Sequence, residues 1–488
     1  MEVPQLTPEM MAEFPPAAVE LIKQLLGIIQ AQATIIAAQN AKIASLEAKI
    51  VGLEAKLNQN SRNSSKPPSS DGPQVKRTPP KPKSGHEPGG QPGHPKQSRE
   101  LIDTSKCEAV VPCLPTVCRN CSAPLRGTDA EPIRYQVSEL PVVKPIVTEY
   151  QLHRIVCTCG CSTAGTLPEH VTGQDGPRLR ACVTMMTGVY RLSKTKAASL
   201  LGALFQVSMS AGQVCAIEAR TGEALQPVVD QILSDARQRP ANIDETSLGK
   251  KRWLWVMVTS IGTYYQIVSD RTRSQLTKLI GTHYQCVLTS DRHSIYSYLP
   301  VELHQFCWAH LRRDFQAMID RKNGGFTIGS ELLSLSDELF DHWKRVRDGT
   351  LSKKEFVNTL FKLKDFQTRF RNVLQRGTDC GCQKTMATCR QLLSQEVSLY
   401  RFVYVNGVEP TNNAAERALR HGVIWRKQSH GPKSITGSRF LANIWSITET
   451  CRQHGRNLWQ YLTESLKSIE NGKRPSLLRQ PITQAQAA

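Results

Sequence analysis

From residue 239 the chain turns into a run of short β-forming segments, and their order restricts the fold more than any other feature. Residues 241–246, 252–260 and 263–268 read as consecutive antiparallel strands, and a helix follows near 274–281. Residues 284–290 then read as a buried strand with Asp291 at its end, and 305–309 offer a fifth strand. Three strands, a helix and a fourth strand closed by an acid is the order expected of a ribonuclease-H-like sheet. That topology sets the first strand, with Asp244, beside the fourth, with Asp291.

A third acid, Glu416, lies in Thr411-Asn412-Asn413-Ala414-Ala415-Glu416-Arg417, which reads as the first turn of a helix. Carboxylates on two strands and a helix can hold two divalent ions that clamp the attacking and leaving oxygens of a phosphodiester. Mg²⁺ suits such a hard oxygen donor set, and Mn²⁺ is the substitute. Each acid has a competitor. Asp270 matches the Ser-Asp-Arg context of Asp291 but ends the third strand. Glu245 neighbours Asp244, although strand alternation sends the two to opposite faces. Asn413 with Glu416 also resembles a helix cap and its reciprocal Glu, an arrangement that needs no metal.

The formal charge of +20 over 488 residues favours a polyanionic partner, with nucleic acid first. No run of about 18 apolar residues is expected, hence no membrane span. The N-terminus has acids and prolines where a signal peptide would be basic and then apolar. A cytoplasmic protein follows, whose fifteen cysteines are metal ligands or buried thiols rather than disulfides. After Pro15-Pro16 six heptads place Ile22, Ile29, Ile36, Ile43, Ile50 and Leu57 at one seam position. Ala18, Leu25, Gln32, Gln39, Leu46 and Leu53 take the other. Ile facing Leu in this way favours a parallel two-stranded coiled coil. A single amphipathic helix packed on its own domain is the competing reading. Residues 59–100 are rich in Pro, Gly, Ser and Lys, cannot bury a core, and read as a basic linker.

Residues 101–175 are cysteine-rich. Cys118-Arg119-Asn120-Cys121 has the knuckle spacing that lets two thiolates reach one tetrahedral zinc. Cys157, with Cys159 or Cys161, would complete a structural Zn²⁺ site, although spacings of one and three are irregular. Alternating runs at 142–147 and 150–156 read as strands between the clusters. Residues 193–204 and 209–220 suggest two helices across a tight turn, with Lys194 and Lys196 placed to meet DNA as in a helix-turn-helix. Residues 318–405 read as a helical insertion carrying Trp343, Lys344, Arg345 and Arg347, which face either DNA or solvent. Cys380, Cys382 and Cys389 in it are read as non-ligands.

Several segments resemble the insertion sequence 66 family of bacterial transposases. They are Asn60–Pro68, Pro88–His94, Asp244-Glu245-Thr246, Cys307-Trp308-Ala309-His310-Leu311-Arg312-Arg313, Glu409–Arg417, and the basic stretch from Trp425-Arg426-Lys427 to Gly437-Ser438-Arg439-Phe440. The resemblance implies a transposase of the DDE type, with Asp244, Asp291 and Glu416 as catalytic and Mg²⁺-binding residues. His310, Arg313, Arg417 and Arg420, with Arg426 and Lys427, become candidates for contacting DNA. The implied chain is a multidomain α/β protein. Residues 1–58 form a coiled coil, 59–100 the linker, 101–175 a small zinc-binding-like domain and 176–238 a helix-turn-helix-like region. Residues 239–317 and 406–455 form a ribonuclease-H-like core around the 318–405 insertion, and 456–488 a C-terminal segment. The expected partners are DNA, as element ends and target, a second copy through the coiled coil, and accessory element-encoded proteins. Two alternatives stay open: a zinc-containing DNA-binding regulator with an inactive core, and a structure-specific nuclease on the same fold.

Overall fold

The structure, a computed structural model, describes residues 14–60, 64, 100–171, 173–249, 251–429 and 431–475. Nearly all of the expected basic linker lies outside them. The chain divides into two compact units, one of Met1–Arg77 with Val287–Asn413, the other of Thr78–Cys286 with Ala414–Ala488.

The first unit opens with α1, a single helix over Pro16–Leu57. Its seam is not buried by its own chain: Leu25, Ile29, Ile36, Ile43, Leu46 and Ile50 are all exposed. Among the described residues, this apolar stripe has no covering partner. The expectation that no stretch is apolar enough to cross a membrane is corrected here. Pro16–Val51 passes that test by length and composition, with a mean hydropathy of 1.4, because Ala, Ile and Leu dilute its few charges.

The rest of this unit begins with parallel strands β6 (Leu288–Ser290) and β7 (His304–Phe306), paired Leu288 to His304 and Ser290 to Phe306. Helices α7 (Trp308–Asp320), α8 (Phe326–Arg347), α9 (Lys353–Phe356), α10 (Phe366–Gly377), α11 (Gln383–Ser394) and α12 (Arg401–Tyr404) follow. In α8, Ile328, Leu332, Leu335, Leu339 and Trp343 recur at helical spacing and are buried. Trp308 is fully buried among Phe366, Phe370 and Tyr400, and its indole N–H reaches the Leu399 carbonyl at 2.8 Å. Trp343 thus belongs to this aromatic core, while Lys344, Arg345 and Arg347 are exposed in the last turn of α8, where cations suit the helix dipole.

The second unit holds β1 (Arg154–Val156), β2 (Ser162–Ala164), α2 (Pro177–Thr184), a π-helical turn (Met185–Val189), α3 (Lys194–Phe205), α4 (Ala211–Ala224) and α5 (Gln226–Ala236). Its sheet is an antiparallel meander of β3 (Ala241–Ser247), β4 (Trp253–Val258) and β5 (Thr263–Val268), ordered β5-β4-β3 and followed by α6 (Arg273–Ile280). Helices α13 (Asn413–Ser429), α14 (Ile435–Gln453) and α15 (Leu458–Glu470) complete it. The edge strand β5 is covered by α14, whose Ser446 and Thr450 hydroxyls accept from the Tyr265 and Thr263 N–H groups at 2.9 and 3.1 Å. These bonds satisfy donors that would otherwise invite another strand.

Ala415, Ala418, Leu419 and Gly422 form the buried face of α13. The Tyr265 hydroxyl donates to the Ala418 carbonyl at 2.9 Å, and a Cβ at Gly422 would lie 2.2 Å from Leu254 Cδ2. Gly422→Ala is therefore expected to lower stability by about 1–2 kcal/mol, overpacking outweighing the helix propensity gained. Adding Leu254→Val should recover most of that loss in thermal melts, and a Gly422→Ala protein as stable as wild type would refute the close contact.

Three expected elements differ. The strand expected over 284–290 is reduced to Leu288–Ser290, and Tyr284, outside it, is anchored by its hydroxyl, which donates to the Arg239 carbonyl at 2.8 Å. The strand expected over 305–309 stops at Phe306, where the Trp308 N–H turns to the Pro410 carbonyl at 2.9 Å and α7 begins. Residues 142–147 form no strand and leave Val142, Ile146 and Val147 exposed, since alternation alone supplies no pairing partner.

Candidate functional site

Asp244 lies on β3, where Ala241, Ile243 and Glu245 are buried while Asn242, Asp244 and Thr246 are half-exposed. The alternation separates the two neighbouring acids as pleating requires. Glu245 turns inward and pairs with Arg271, whose guanidinium also lies 5.3 Å from the centre of the Trp253 ring. Asp244 keeps to the half-exposed face, opposite Val256, and its Oδ1 accepts from the Glu245 N–H at 2.9 Å. Asp270 has a different task. Its carboxylate accepts from Thr272, Ser269 and Gln275 at the start of α6, and these hydrogen bonds, the one from Thr272 foremost, hold it below the usual carboxylate range.

Asp291 follows β6 in the other unit and is half-exposed. Its Oδ1 accepts from the His293 N–H at 2.9 Å, folding the chain into a tight turn. The residue before it is fully buried. Ser290 Oγ donates to the Asp291 carbonyl at 2.8 Å and meets His304 Nε2 at 2.8 Å. Burial holds the His304 imidazole down at about 4, only partly opposed by the nearby Asp291 charge, so His304 is neutral at physiological pH. Arg292, next in line, is held by Asp314 on α7 at 2.7 Å and by Gln391 on α11, so the helical insertion braces this turn.

Glu416 is half-exposed on α13. The helix starts at Asn413, and Glu416 lies in its first turn. The segment before the helix is anchored: Asn412 is fully buried, and its N–H meets Cys307 Sγ at 3.1 Å. Asp244 and Glu416 belong to one unit, on β3 and on the helix packed over β4 and β5, while Asp291 belongs to the other.

The basic candidates divide into engaged and open positions. Lys194 ion-pairs with the buried Glu218, joining α3 to α4, and Arg426 donates to the Ser247 carbonyl at the end of β3. Both have structural work that residue type alone does not reveal. Arg313 and His310 are half-exposed on α7, and the Arg313 guanidinium bonds its own helix at the Ala309 carbonyl. Lys196, Arg417, Arg420 and Lys427 are exposed. Glu416 and Arg420, four apart, share a face of α13. Helices α3 and α4 pack together through Ala197, Leu201, Val214 and Ile217. Ser193 caps the first, Gln206 takes the left-handed turn, and Ser210 with Gln213 makes a capping box on the second.

In the cysteine-rich region both clusters form turns. Cys118 N–H reaches the Ala123 carbonyl and Ser122 N–H the Cys118 carbonyl, at 2.8 and 2.9 Å. Cys157 N–H reaches the Cys161 carbonyl at 2.8 Å. The backbone N–H of Cys121, then that of Asn120, lowers the Cys118 thiol, and Cys159 does the same for Cys157. N–H groups aimed at sulfur favour thiolate, the form a metal needs. Cys118 is thereby brought to Cys121, and Cys157 to Cys159, but no three of these sulfurs cluster among the described residues.

Comparison with known proteins gives the class first: the chain is a member of a transposase family. It belongs to the Transposase IS66 family, whose family model matches residues 173–439. A second model, described as a family of unknown function, matches residues 15–100. Two similar curated proteins come from Sinorhizobium fredii (strain NBRC 101917 / NGR234). The uncharacterized protein y4qI is 28% identical over 173 residues, 34% of this chain and 31% of that protein. The uncharacterized protein y4jD is 22% identical over 278 residues, 51% of this chain and 54% of that protein. The chain thus spans about a third of one relative and about half of the other. No solved structure matches.

Proposed function

We propose that this protein is a DDE-type DNA transposase that binds the ends of an insertion sequence, cuts them, and joins the freed 3′-hydroxyls to target DNA. Membership of the family over residues 173–439, a span that contains Asp244, Asp291 and Glu416, carries the reading. In the first step water attacks the phosphodiester at an element end, the P–O bond to the 3′-oxygen breaks, and a 3′-hydroxyl is left. In the second that hydroxyl attacks a target phosphodiester, forming one P–O bond as another breaks.

Asp244, Asp291 and Glu416 would hold two Mg²⁺ ions, or Mn²⁺. The donor set fits, being half-exposed carboxylates on two strand segments and a helix, whereas the competing Glu245 and Asp270 are committed to Arg271 and to a helix cap. When bound, the ions supply the clamp for attacking and leaving oxygens. Arg417 and Arg420 flank Glu416 and are proposed to neutralise phosphates, with Lys196 and Lys427 as further backbone contacts. The ribonuclease-H-like order of the sequence is the reading that gathers the three carboxylates. One structural Zn²⁺ on Cys118, Cys121, Cys157 and either Cys159 or Cys161 fits the sulfur-directed N–H groups of both turns. The protein would act in the cytoplasm at the nucleoid, with accessory element-encoded proteins as further partners.

A joining assay with matched end DNA in Mg²⁺ tests the reading. Joined product is expected. Binding without cleavage would replace the transposase by a regulator, and cleavage without joining by a nuclease.

The exposed stripe of α1 supports dimerisation, which would bring two element ends together. Ile36→Lys with Ile43→Lys places charges in that seam, so light scattering should show a shift toward monomer. An unchanged mass would remove the coiled coil from the account.

A further inference from the structure

We propose that a basic cleft in the second unit holds one strand of DNA with a base unstacked against Tyr190. The cleft measures about 980 Å³ and lies where α3 and α4 meet the end of α13 and the start of α14. Its cations are Arg191, Lys194, Lys196 and Lys433, and its one carboxylate, that of Glu218, is already paired with Lys194. The lining therefore keeps three uncompensated positive charges among the described residues, and an anionic occupant complements it.

The aromatic at the rim is held outward by unusual backbone. The π-helical turn ends with the Tyr190 N–H on the Met185 carbonyl, Arg191 takes a left-handed φ of 65°, and the Leu192 N–H returns to the Met186 carbonyl. The Trp445 indole N–H locks the turn from below, at 3.0 Å from the Gly188 carbonyl. Such π-turns and left-handed non-glycine residues persist where surroundings enforce them, and they concentrate at functional sites. The result is a tyrosine 64% exposed beside the cations, with Trp425 in the wall.

A positively charged groove with an exposed aromatic is the pattern that binds single strands, because every base offers a face to stack. The concavity is at the upper end of small-ligand pockets, about 300–1,000 Å³, and so matches an unstacked nucleotide rather than a duplex. The ligand class rests on the transposase reading, since cutting and joining element ends exposes unpaired strands. The position is independent of the three carboxylates.

Fluorescence anisotropy of the full chain in magnesium-free buffer tests this, with a labelled oligothymidylate and a duplex of equal length as probes. Tyr190→Ala is expected to weaken oligothymidylate binding by about tenfold, within the range of base–aromatic stacking, with little change for the duplex. Tyr190→Phe should restore it. Lys196→Gln with Lys433→Gln should reduce the salt-dependence slope by about 1.4, the value for two phosphate contacts to a single strand. Equal losses for both probes, or none, would overturn the proposal, as would an oligoglutamate competing as well as the oligothymidylate, which points to a protein partner. Because no cleavage is measured, this result can fail while end joining succeeds, and the reverse.

Discussion

Glu416→Gln should leave folding and DNA binding near normal while lowering Mg²⁺-dependent cleavage and joining by more than about a hundredfold. Loss of a group that merely orients a metal ligand already costs about 10–100-fold, so loss of a charged ligand should exceed that range. The exchange is otherwise mild. Gln matches Glu in size and helix propensity, and Gln serves as Glu does at a reciprocal capping position. The face that packs α13 on the sheet consists of Ala415, Ala418, Leu419 and Gly422, none of which the exchange touches. Glu416→Gln protein with unchanged melting temperature and a wild-type cleavage rate would remove Glu416 from the catalytic set.

The second large effect is expected in the cysteine-rich region. Cys118→Ser or Cys157→Ser should reduce bound zinc from about one per chain to almost none and open residues 101–175 to protease. This region has little else to hold it. Ile133, Tyr135, Val142 and Ile146 are all exposed, and among the described residues its only strands are the three-residue pair β1 and β2. Domains without a core depend on staples, and a structural zinc contributes about 10–16 kcal/mol of apparent binding free energy. Cys159→Ser should cost more zinc than Cys161→Ser, because Cys159 is the residue that reaches the Cys157 thiol. Protein purified without chelator that contains no zinc, and whose protease pattern ignores these substitutions, would contradict the site.

Legibility in the sequence followed the range of the forces involved. Strand β5 and helix α6 are readable to within a residue or so, since strand alternation and helical periodicity are local signals. The separation of Asp244 and Glu245 onto opposite faces follows from pleating, which is local too, and β3 shows it. Non-local partners were not readable. Nothing near Lys194 announces Glu218, nothing near Arg426 announces the Ser247 carbonyl, and Trp343 looked like part of a basic surface until the aromatic core claimed it. Residues 142–147 alternate but find no partner strand. The cleft around Tyr190 and Lys433 is not legible for the same reason: its cations come from segments far apart in the chain, and an isolated Tyr-Arg pair carries no periodic signal.

Sharing of divalent metal by Asp244, Asp291 and Glu416 can be read directly from where the chain is cut. Fe²⁺ exchanged for Mg²⁺, with ascorbate and peroxide, generates hydroxyl radical at the metal and cuts nearby backbone, which needs no knowledge of the element ends. Chain breaks are expected at three places, around residues 244, 291 and 416, each suppressed by excess Mg²⁺ and weakened together by Asp244→Asn. Breaks at one of these segments alone, or breaks that Asp244→Asn leaves unchanged, would contradict a shared site.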